Sequence, residues 1–91
     1  MEFNPVDPAR ALMQIMKIDL DLLSKKDLLD ISHFIFYNEC GLAHDVLVFM
    51  MREGEYTPSS EALKLIKLSS SMLGVEYPKL SVESQELFVT K

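Results

Sequence analysis

The stretch from Ser24 to Gly54, SKKDLLDISHFIFYNECGLAHDVLVFMMREG, limits the possible folds more than any other part of the chain. It divides into two segments with helical spacing, and both are unusually apolar. Stepping at 100° per residue, Leu28, Leu29, Ile31, Phe34, Ile35, Phe36 and Cys40 cover about two-thirds of the first circumference. A narrow strip of Lys26, Asp30, His33 and the Tyr37 hydroxyl remains polar. In the second segment Leu42, Ala43 and the run from Val46 to Met51 wrap most of the surface. Helices with so wide an apolar face belong at the centre of a bundle or in an interface.

Local signals set the boundaries. Ser24 followed by Asp27 is a variant capping box, and Leu23 with Leu28 completes a hydrophobic staple. Gly41 is read as the left-handed cap between the two helices, and Gly54 as the stop after the second. Upstream, Asp7-Pro8 starts a helix over 8–18, in which Ala9, Leu12, Met13, Ile15 and Met16 form the inner face. Residues 19–23 alternate apolar and acidic side chains with no strand to pair with, so they read as an extended connector with leucines turned inward. Downstream, Thr57-Pro58 opens a helix over 58–73 with Leu63, Leu65, Ile66, Leu68, Met72 and Leu73 inward, and Gly74 closes it. Ser69 falls within that apolar arc, where a small side chain permits close helix approach.

These readings give one all-α domain over 1–91, a small antiparallel helical bundle. Its four main helices span about 8–18, 25–40, 42–53 and 58–73, with a short C-terminal helix over 82–89. Residues 1–6 form an arm and 75–91 a loosely packed segment. Three glycines and four prolines in 91 residues provide too few turns for a β-sandwich.

The formal net charge of -5, with nine basic residues, offers no phosphate-binding surface, so nucleic acid is not expected as a partner. Cys40 is alone, which excludes an internal disulfide framework. The first residues, MEFNPVDPAR, lack the basic and apolar regions of a signal peptide. The longest apolar run, Val46 to Met51, is far short of a membrane span. The expectation is a cytoplasmic protein that does not enter membranes.

Candidate chemistry is sparse. Cys40, His44 and Asp45 are the residue types of a thiol nucleophile, its base and an orienting acid. Adjacent helical residues point about 100° apart, however, so Asp45 is badly placed to orient His44. With Glu39 they make a poor metal set, since Cys40 and His44 are the one short ligand pair. The turn at Gly41 suggests a DNA-binding helix-turn-helix, which would present His44, Asp45, Val48, Phe49 and Arg52 to the groove. Those groups supply one cation and several bulky apolar chains. Acyl carrier proteins are also small, acidic and helical, but their Asp-Ser-Leu attachment site has no counterpart in Ser70-Ser71-Met72-Leu73. Met50 and Met51 diverge by about 100°, which places at least one of them at the surface.

The sequence reading is therefore a non-enzymatic interaction module with no cofactor and no metal. It acts as a small regulator, adaptor or inhibitor and self-associates as a homodimer through Phe34, Phe36, Tyr37, Val48, Phe49 and Met51. The alternative is a DNA-associated regulator using the 25–53 hairpin.

Overall fold

A computed structural model describes residues 7–75 and residue 77. The arm over 1–6, the short helix over 82–89 and most of the 75–91 segment fall outside these residues. The described chain is all-helical, with α1 (Pro8–Ile18), α2 (Lys25–Phe36), α3 (Cys40–Arg52) and α4 (Ser60–Leu73).

Three of the four helices start where a side chain accepts from a first-turn amide, whereas α3 begins after Glu39 without such a cap. Asp7 accepts from the Arg10 amide at 2.8 Å, with Pro8 in the first turn of α1. Ser24 accepts from the Asp27 amide at 3.1 Å and starts α2 where expected. For α4 the cap is Ser59, whose hydroxyl accepts from the Ala62 amide at 3.2 Å. The expected start at Thr57-Pro58 is therefore two residues early, because a hydroxyl at Ser59 is better placed to cap than Thr57.

The corner between α2 and α3 also departs from expectation. α2 ends at Phe36, and Asn38, not Gly41, takes the left-handed conformation at φ 60. The Asn38 amide donates to the Ile35 carbonyl at 3.0 Å and the Glu39 amide to Phe34 at 2.7 Å, a Schellman closure. Asn tolerates this conformation because its short polar side chain costs little there. Gly41 consequently lies inside the first turn of α3. The same pair of bonds closes α3 around Gly54 (φ 76) and α4 around Gly74 (φ 73).

α1 packs mainly on α4 and α2 mainly on α3, while α3 also touches α1 and α4. The core between them joins Leu12 and Ile15 of α1, Ile31 of α2, Ala43 and Leu47 of α3, and Ala62 and Ile66 of α4. Each fully buried Leu or Ile contributes about 1.5–3 kcal/mol of transfer free energy. Met13 and Leu68, expected inward, are 49% and 39% exposed.

Residues 19–23 are a tight turn rather than an extended connector: the Asp19 carbonyl accepts from Leu22 at 2.9 Å and Leu23 at 3.1 Å. Leu23 is buried, but Leu20 and Leu22 point outward. The residue that goes inward is Asp19, only 2% exposed. Its carboxylate accepts from the Tyr56 hydroxyl at 2.5 Å, the Ser59 amide at 3.0 Å and the Ser59 hydroxyl at 2.7 Å. Three donors satisfy a group that would be costly to bury alone. The end of α1 is thereby tied to the start of α4, which makes the two helices antiparallel.

Replacing Tyr56 by Phe is expected to cost about 1.5–3 kcal/mol in urea unfolding, because it removes one bond to a buried charged group. Burial, then the Asp19 hydrogen bond and charge, raise the Tyr56 phenol above its ordinary value of 10.0. A raised acid contributes stability that is complete below the unfolded value and is lost as pH climbs beyond it. Unfolding midpoints should therefore fall above about pH 10 in the parent and fall less steeply in Tyr56→Phe.

Candidate functional site

Helix α2 has one buried side, carrying Ile31 and Asp27. Roughly opposite, at the i, i+4, i+7 spacing of a helical stripe, lie Leu29, His33 and Phe36, with Tyr37 beside them. Leu29 is 64% exposed, Phe36 81% and Tyr37 59%. The rings are organised: Phe36 meets Tyr37 edge to face at 5.2 Å, and His33 lies 4.7 Å from Tyr37. An ion pair between Lys26 and Asp30 at 3.0 Å borders the stripe.

Of the residues expected at an interface, Phe36 and Tyr37 thus stand together on an open surface. Phe34 and Met51 are half-buried and rest partly against the core, and Phe49 is half-buried as well. Val48 has no exposed surface and drops out. The reason is the central position of α3, which has neighbours on three sides and buries every residue from Ala43 to Val48. Met50 and Met51 also both reach the core partly, from different directions. Leu29 was missed as a surface residue, although its seven-residue spacing from Phe36 places the two on one line.

The polar groups of α3 are not where helical spacing alone put them. His44 and Asp45 are fully buried, so with Val48 they are closed to a DNA groove. Nε2 of His44 lies 2.9 Å from the Ser70 hydroxyl of α4, a partner the sequence did not suggest. That distance suits a nucleophile and its base. Ser70 is itself only 1% exposed, and Nδ1 of His44 has no hydrogen-bond partner to orient the ring. Burial lowers the imidazole's proton affinity, with Asp45 opposing the effect. The pair is a packed cross-link without access for a substrate.

Cys40 faces a shallow hollow shared with Pro8, Asn38, Gly41 and Leu73, and His44 is not on its wall. Burial, and secondarily the charge of Asp7, raise the Cys40 thiol, which keeps it protonated and weakly nucleophilic. Among the described residues no group of three or more His, Cys, Asp or Glu is arranged to hold a metal ion. Nor is any described helix long and apolar enough to cross a membrane. No protein-family model matches the chain, and neither does any curated protein or solved structure.

A pair of substitutions separates core from surface. Val48→Asp places a charge in a closed site and should abolish the cooperative unfolding transition seen by circular dichroism. Phe36→Asp should shift unfolding stability by no more than about 0.5 kcal/mol, as expected of an exposed position.

Proposed function

We propose that this chain is a non-enzymatic protein–protein interaction module, a small regulator, adaptor or inhibitor, that works through the outer stripe of α2. The observation that carries this reading is the exposure of Leu29 and Phe36 on one line of α2, with the exposed Tyr37 beside them at its C-cap. Scattered apolar residues are ordinary on protein surfaces, whereas adjoining aromatic and aliphatic chains are typical of interface centres. The closed Ser70–His44 pair and the protonated Cys40 support a role that does not depend on catalysis.

The stripe serves self-association through a two-fold axis, in which each residue meets the symmetry-related region of its mate. Covering three such side chains on each of the two copies, already partly buried, supplies roughly 6–12 kcal/mol. Association costs an estimated 4–15 kcal/mol, so the dimer is weak and depends on surrounding contacts as well.

Sedimentation equilibrium up to high micromolar concentration tests the proposal. The expected result is a monomer–dimer equilibrium that Phe36→Glu and Leu29→Glu each shift to monomer, with circular dichroism unchanged. A strict monomer throughout that range, or a dimer indifferent to both substitutions, would remove self-association through α2.

A further inference from the structure

The two helix pairs, α1 with α4 and α2 with α3, are joined by thinner contacts, one of which is α3 against α4. His44 sits in that contact with no exposed surface. One ring nitrogen is 2.9 Å from the Ser70 hydroxyl, and the other has no partner. The neighbouring Ser69 hydroxyl on α4 is also buried and unpartnered. A neutral imidazole has one donor and one acceptor, so this site leaves one of its two positions unsatisfied. An imidazolium has two donors and a net charge. In the same site it would bury a charge with one N–H unbonded, a far larger penalty.

Little else offsets that penalty. Asp45, on the same helix, is the titratable group whose charge favours the protonated ring. α4 offers His44 the hydroxyl of Ser70, which carries no charge. The charged side chains of α1 and α4, Arg10, Lys17, Glu61, Lys64 and Lys67, are exposed. On α2, Lys25, Lys26 and His33 are exposed, Asp30 pairs with Lys26, and Asp27 is buried in the first turn.

We propose that His44 is an acid-sensitive latch, whose protonation opens the α3–α4 contact between the two helix pairs. Opening would give water access to the apolar faces around Leu47 and Ile66. The device is independent of the α2 stripe and does not require self-association.

The sign follows from linkage. Burial holds the folded His44 below its ordinary value of 6.5. Its contribution is complete above about 6.5 and is lost as pH falls from there toward the lower folded value. For one proton taken up on opening, the equilibrium shifts by at most about 25-fold between about pH 7 and pH 5.

Hydrogen exchange by NMR on the full chain, corrected for intrinsic rates, reads this directly. The parent should show an opening equilibrium for amides of α3 and α4 that rises by up to about 25-fold over that interval. His44→Gln keeps an amide able to bond Ser70 but takes up no proton, and should show a markedly flatter response. An equal pH response in His44→Gln would overturn the latch. Should that variant fail to fold, the parent's two histidine rings decide the matter, with exposed His33 as the reference. The latch requires the His44 ring signal to change together with loss of α3 and α4 protection. A His44 ring that titrates while protection is retained contradicts it.

Discussion

One buried carboxylate holds the arrangement of helices together. Asp19 ends α1 and accepts three hydrogen bonds from Tyr56 and Ser59, at the entrance to α4. It also lies where the N-terminal end of α4 favours negative charge. This closure fixes α1 and α4 as an antiparallel pair. It leaves α1 and α3 each against all three other helices, and α2 against α3 and, more thinly, α1. The wide apolar circumference of α3 is therefore covered within the molecule. That of α2 is covered on one side only, and Leu29, Phe36 and Tyr37 remain outside.

The cost of this layout appears at His44. A central helix must bury whatever it carries, and α3 carries an imidazole and a carboxylate in its first half. Ser70 meets one nitrogen of the ring, while the other goes without. An apolar residue there would pack with no such penalty. A polar group retained in a dry contact between two helix pairs makes that contact responsive to protonation, while the Asp19 tie at the far end carries no such defect.

Most helix ends were legible in the sequence because a cap lies within a few residues of the group it bonds, although Ser59 was passed over for Thr57. Asp7, Ser24, Gly54 and Gly74 were all recognised this way. The α2–α3 corner was misplaced because a glycine three residues later looked like the stronger left-handed candidate than Asn38, although Asn38 completes the bonds. Asp19 was illegible for a different reason. Its partners are 37 and 40 residues away, and no periodicity in a short acidic-apolar alternation announces a tertiary bond. His44, Asp45 and Val48 were assigned to a surface because helical spacing tells which residues share a face, not how many faces of a helix are covered. Two residues of the proposed site, Phe36 and Tyr37, were singled out in the sequence and are exposed. Leu29 required knowing that α4 does not reach α2.

That the outer stripe of α2 is the working surface is our central proposal, and a dilution series followed by NMR tests it most directly. The Leu29 methyl and the Phe36 and Tyr37 ring signals should move together with concentration, while the signals of Leu47 and Ile66 in the core stay fixed. Concentration-dependent shifts centred on another face, or none at all up to millimolar protein, would contradict it.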